Sequence, residues 1–445
     1  MTSPAGAPEP ATLTGAADTR EPAEPEMAVK VVHPHVHVVI IAFVGAVAVL
    51  AWLIVYEVVL AFLWENEVIL ANPWLFPAIC LPFSLLVGLL IKHRNAPTSI
   101  DETLIDSLAG DVRKIDWRTL PTNVLMAWAS LFSGAAVGPE GGIGGIASKI
   151  AMLYGEKVGI PMEQRSRLVF STIASAYNGL VANPLFTGVL GTELIQDPAS
   201  RTRNLPANLI GGAVGYIVFF ALGNTGIQDY LDLTPAAAYR PIDIVLAVGF
   251  ALLGLVLALI SGAMFRAAAA FFARFEGREV TRALIGGVIM SAVGMFAPIL
   301  LFSGQAQILE VAENQASYGP LVLVAMALVK LALLAVAFKS GFLGGPTFPA
   351  IFAAVCVSLA INQLAPGIPL EVIVGGITGG FLLVLFRAPL LVILLVATML
   401  QARLDLIALI LLGVAVVLVV LPYVMAALTR VAGERAARAA HTAGT

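Results

Sequence analysis

Glu140 is the residue whose chemistry most needs explaining, because it lies in the apolar, glycine-rich run from Leu131 to Ala147. A carboxylate at bilayer depth costs about 2.5–3.5 kcal/mol on insertion scales, so it faces a protein interior or a wet cavity and marks an ion or proton path. Gly138, Pro139, Gly141 and Gly142 flank it and interrupt regular helix. Irregular backbone at membrane depth is tolerated only where it lines a cavity or is buried in protein. A titratable group set in a helix break, inside hydrocarbon-like sequence, therefore points to an ion pathway.

The elements that must hold Glu140 are apolar. The chain has 445 residues, 59% hydrophobic and 12% charged; soluble domains carry roughly 25% charge, so most of this chain belongs in lipid or in protein surrounded by lipid. A net charge of -3, with basic residues scattered in short loops, excludes a nucleic-acid partner. Cys80 and Cys356 both sit in apolar runs as small core residues, and two cysteines make no disulfide framework. The first residues, rich in Ala, Pro, Glu and Thr without apolar period, form a disordered tail rather than a signal peptide. Stretches near 38–63, 70–92, 241–265, 318–338 and 403–427 are long enough to cross a membrane. The pieces near 121–137, 143–154, 167–181, 184–195, 347–363, 372–386 and 388–401 are shorter and punctuated by Gly, Pro or Asn. Broken helices of that kind meet at midplane sites in transporters.

Two halves echo each other. Leu180–Leu190, with its Asn183-Pro184-Leu185 step, resembles Leu385–Leu394, with Ala388-Pro389-Leu390. A glycine-proline helix start precedes each: Gly138-Pro139-Glu140-Gly141-Gly142 in the first and Gly344-Gly345-Pro346-Thr347-Phe348-Pro349 in the second. Helix N-termini present free N–H groups and about half a positive charge, so broken helices converging at one depth favour an anion.

These motifs resemble the CLC family of chloride channels and proton-coupled chloride antiporters, bacterial type without CBS domains. Gly138–Gly142 resembles the family's Gly-Arg-Glu-Gly-Pro motif, Gly344–Pro349 its Gly-x-Phe-x-Pro motif, and Arg387-Ala388-Pro389-Leu390 a signature of its second half. Leu421-Pro422-Tyr423 falls where the family carries a pore tyrosine. The resemblance implies an all-α polytopic membrane protein, an inverted repeat of two halves with broken, tilted helices meeting at a midplane anion site. It divides the chain into a disordered tail (1–32), a membrane domain (33–432, halves at about 38–222 and 240–427) and a short C-terminal tail (433–445).

By the same resemblance Glu140 is the gate, and Ser99, Gly141, Gly142, Thr347, Phe348 and Tyr423 bind the anion. Chloride is the bound ion, with no other cofactor and no metal. A homodimer in the bacterial plasma membrane is expected, with chloride or a similar monovalent anion, protons and the lipid bilayer as partners. Two departures matter. Ser99 stands in Pro97-Thr98-Ser99-Ile100-Asp101-Glu102, which lacks the glycines of the family's serine motif. The position of the antiporters' inner proton-transfer glutamate falls on Leu194, leaving neighbouring Glu193 as a candidate for the proton path or an ordinary helix-end acid. A missing relay favours a gated channel, with proton-coupled chloride or fluoride exchange as the alternative. Lys330, inside an apolar run, is expected to snorkel or to neutralise a buried acid, with a part in the ion path as the lesser alternative. His33, His35 and His37 share a His-x-His-x-His spacing without the acid or cysteine that would make a metal site. A membrane-embedded enzyme is disfavoured, since all five histidines are expected in loops or tails, away from the apolar interior.

Overall fold

The computed structural model describes residues 34–99, 112–194, 198–223, 231 and 238–443. The tail expected at 1–32 lies outside them, as do Asp101 and Glu102. The first half contains α1 (Pro34–Trp64), α2 (Phe76–Arg94), α3 (Leu120–Phe132), α4 (Glu140–Lys157), α5 (Met162–Ala176), α6 (Pro184–Leu194) and α7 (Pro198–Ala221). The second contains α8 (Pro241–Phe272), α9 (Glu279–Phe296), α10 (Gln305–Glu313), α11 (Pro320–Ser340), α12 (Thr347–Leu364), α13 (Leu370–Phe386), α14 (Pro389–Met399) and α15 (Leu404–Ala443). Six of these helices open on proline, whose fixed φ and missing N–H suit a first turn.

Among the described residues eight helices are long and apolar enough to cross a membrane. Three of them, α7, α9 and α12, add to the spans expected from hydropathy. The start of α7 carries Arg201, Arg203, Asn204 and Asn208, and α9 begins with Glu279 and Arg282, which lowers their apparent hydropathy. For α12 the difference is enclosure: 72% of its apolar window is buried, so it is wrapped by protein rather than by lipid. His35 and His37 correct a second expectation. They lie in the first turn of α1, where the His37 ring pairs with the Tyr154 hydroxyl at 2.8 Å, rather than in a loop.

The repeat extends through the packing. α4 packs on α5 as α12 does on α13, α1 on α5 as α8 on α13, α5 on α7 as α13 on α15, and α6 on α7 as α14 on α15. Among the described residues the halves are joined by α2 packing on α9 and α6 on α14, with further contacts between shorter elements. Backbone detail follows the same correspondence. Ala182 and Arg387, each just before a Pro-Leu helix start, both take left-handed φ, 47° and 53°. The turns that enter α5 and α13 read Gly159-Ile160-Pro161-Met162-Glu163 and Gly367-Ile368-Pro369-Leu370-Glu371, a stronger echo than the two noted above. Close approach holds the halves compact: on α8 and α13, a Cβ at Gly254 or at Gly380 would strike the facing backbone carbonyl of Ile377 or Ala251. Without a hydrophobic drive between helices in lipid, such small-residue contact supplies the packing.

Candidate functional site

The loops that enter α4 and α12 are bonded to each other. Gly138 and Gly345 exchange both backbone hydrogen bonds, N–H to O at 2.8 Å each way, as an isolated antiparallel bridge. This sets the two helix N-termini side by side, with Pro139 and Pro346 at their N-cap positions. A methyl group on Gly138 or Gly345 would collide with the Glu140 side chain where it now lies, so glycine at both positions leaves room for the carboxylate.

Glu140 is 3% exposed and its carboxylate points across to the start of α12, beside the Thr347 hydroxyl and the N–H groups of Thr347 and Phe348. Neither oxygen completes a well-formed hydrogen bond among the described residues. The carboxylate thus sits where two helix ends concentrate N–H groups, without being locked there. The Tyr177 hydroxyl donates to the Glu140 backbone carbonyl at 2.8 Å. A cavity of about 370 Å³ is lined by Glu140, Tyr177, Thr347 and Phe348 together with Leu194 and the exposed Lys339. An acid, a phenol, a hydroxyl and two helix N-termini at one buried end, with a lysine on the wall, can hold a small anion and exchange it for a carboxylate. No group of three or more His, Cys, Asp or Glu side chains placed to hold a metal occurs among the described residues.

Glu140, Thr347 and Phe348 are therefore brought together. Gly141 packs on the Gly344 backbone beside them, while Gly142 faces Ala127 and Trp52, away from the cavity. Ser99 lies half-buried in the loop after α2 and does not line this cavity. Tyr423 corrects the expectation made for it. It is 74% exposed, because α15 runs unbroken from Leu404 to Ala443, into the stretch expected as a tail. On a continuous helix its position lies about 200° around from buried Leu421, so its hydroxyl faces outward. Turning it inward would need a helix break that Pro422 does not produce.

Glu193 is engaged elsewhere. Its two oxygens accept the N–H groups of Leu390 (3.0 Å) and Leu391 (2.6 Å), capping α14. At the other end of the same helix pair, Asn183 donates to Thr398 at 2.6 Å. Leu194, not Glu193, faces the cavity. Tyr177 and Lys339 were missed in the sequence; Tyr177 was signalled only as a lone phenol at a helix break among small residues, Ser175-Ala176-Tyr177-Asn178.

Comparisons with known proteins agree with this geometry. YfeO of Escherichia coli (strain SMS-3-5 / SECEC), which carries an ion-transport name, is 24% identical over 326 residues, covering 71% of this chain and 74% of that protein. The crystal structure of a slow cyanobacterial Cl-/H+ antiporter superposes with a TM-score of 0.75 at 20% identity, covering 87% of this chain and 93% of that one. A CLC-type fluoride/proton antiporter gives 0.68 at 15% identity, over 87% and 94%. The sequence profile of the family described as voltage gated chloride channel matches residues 83–421, so the chain belongs to that family, CLC.

Proposed function

We propose that this protein moves chloride or a related small monovalent anion across a membrane in exchange for protons, with Glu140 as the gate. The observation that carries the reading is the buried Glu140 carboxylate at the paired N-termini of α4 and α12. An anion and the ionised carboxylate compete for the same N–H groups; protonation removes the carboxylate's charge and yields the place to the anion. Proton exchange is preferred over a passive channel because both structural neighbours named above are proton-coupled. The carrier from Glu140 to the far solution is then water in the cavity, since Glu193 is held at α14.

A gated passive channel is the second reading, favoured by Leu194, an apolar group on the cavity wall. Liposomes holding the purified protein and a chloride gradient decide between them. Proton movement against its own gradient, driven by chloride, is the expected result; chloride flux with no linked proton movement selects the channel. No flux of chloride or fluoride at any pH overturns both.

A further inference from the structure

Lys330 lies in mid-α11 and is fully buried. It neither snorkels nor meets an acid. Its Nζ donates to the carbonyls of Leu300 (3.1 Å), Leu301 (2.8 Å) and Phe302 (2.8 Å) and stands 4.9 Å from the centre of the Phe352 ring. The titratable side chain it interacts with is the Cys356 thiol rather than a carboxylate. Among the described residues neither Lys330 nor Glu140 joins a salt bridge.

The surroundings of this ammonium lead to the site. Phe302, whose carbonyl it holds, donates its own N–H to the Gly134 carbonyl at 3.1 Å, and Gly134 begins the loop that enters α4 at Glu140. Phe352, whose ring it faces, lies five residues after Thr347, about 7.5 Å along α12 at 1.5 Å per residue. The charge is therefore clamped between the two segments whose ends form the anion site. Three donors to three carbonyls suit an ammonium, since a serine offers one and an asparagine two, but burying that charge without a counter-ion costs several kcal/mol on the order of magnitude usual for ions in proteins. The carbonyls cap the ammonium but carry no net charge to offset it.

We propose that Lys330, as the ammonium that caps these three carbonyls, supplies the positive charge of the anion site and sets how strongly that site holds an anion. This inference rests on the anion-transport reading above. It accounts for two opposite charges buried without salt bridges in one domain: Lys330 balances the Glu140 carboxylate when that occupies the site, and the transported anion when Glu140 leaves it. In general, two unit charges about 10 Å apart at an effective dielectric near 20 change each other's occupancy by on the order of tenfold.

The test is chloride binding to the purified full chain by titration calorimetry, with gel filtration and thermal unfolding as controls for folding. Lys330→Met should weaken chloride by about tenfold, and Lys330→Arg should keep it within about twofold. Because Lys330→Met removes the carbonyl cap and can fail to fold, Ser303→Asp supplies an independent arm. Ser303 adjoins Phe302 and its hydroxyl accepts the Gln305 N–H at 3.2 Å, a capping role that aspartate also fills while adding a negative charge beside Lys330. Ser303→Asp should weaken chloride, and Ser303→Asn should not. Wild-type affinity in folded Lys330→Met or in Ser303→Asp overturns the inference while leaving anion transport standing. A wild-type protein that binds neither chloride nor fluoride and conducts neither overturns both.

Discussion

Glu140 and Tyr177 are the residues on which the chemistry of the site turns. On the proposed reading the ionised Glu140 carboxylate competes with the anion for the helix-end N–H groups and protonation withdraws that competition, so anion flux should rise as pH falls. Glu140→Gln removes the titration, and its flux in liposomes should be flat across pH 4–8 and, for an exchanger, free of linked proton movement. A pH profile identical to wild type would remove Glu140 as the gate. Tyr177 donates to the Glu140 carbonyl while lining the cavity. Tyr177→Phe keeps the ring and loses one internal hydrogen bond, about 1 kcal/mol of stability in a typical case, so its thermal unfolding midpoint should fall slightly and, with the phenol gone from the cavity wall, chloride affinity by titration should weaken.

Helix ends, more than helix faces, organise this protein. The bridge between Gly138 and Gly345 places α4 and α12 together, and a Cβ at Gly345 would run into the Glu140 side chain. Gly345→Ala should therefore displace the carboxylate and leave anion flux less dependent on pH than in wild type, measured in the same vesicles. A similar economy governs α6 and α14. Because Glu193 caps α14 with both oxygens, Glu193→Gln should cost about 1.5–3 kcal/mol, the range for a hydrogen bond to a charged group. Its thermal unfolding midpoint should fall, while any chloride-driven proton movement persists. Loss of proton movement without loss of stability would instead make Glu193 the relay.

Across the whole molecule, each half supplies one N-terminus to the site, so one chain carries both halves that build it. A homodimer is proposed on these grounds to have two separate pathways. Two large apolar surfaces on equivalent helices fit it: Ile217 and Phe220 on α7, and Val419 and Tyr423 on α15, are each more than 60% exposed. Subunit counting by single-molecule photobleaching in membranes should give two steps. Vesicles with one Glu140→Gln subunit tethered to a wild-type subunit should show half the pH-dependent flux; full loss would place a single shared pore on the axis.

What could be read in the chain by itself is what local chemistry dictates. Apolar runs set by length, proline starts and glycine breaks, and a lone carboxylate inside hydrocarbon-like sequence are properties of a few consecutive residues. They made the membrane fold, the two halves and Glu140 legible, and the paired Gly-Ile-Pro-x-Glu turns were there to be read as well. Tertiary structure decided what depends on direction. Tyr423 carries the expected residue type at the expected place, yet an unbroken α15 turns it outward by helical phase. Glu193 is an acid beside the pathway by sequence, yet the start of α14 comes within reach of its oxygens and takes them. Tyr177 and Lys330 carry no motif. Their roles come from what other segments, distant in sequence, place around them: the Glu140 carbonyl for one, three carbonyls and an aromatic face for the other. A side chain's type is local, but its partner is chosen by packing.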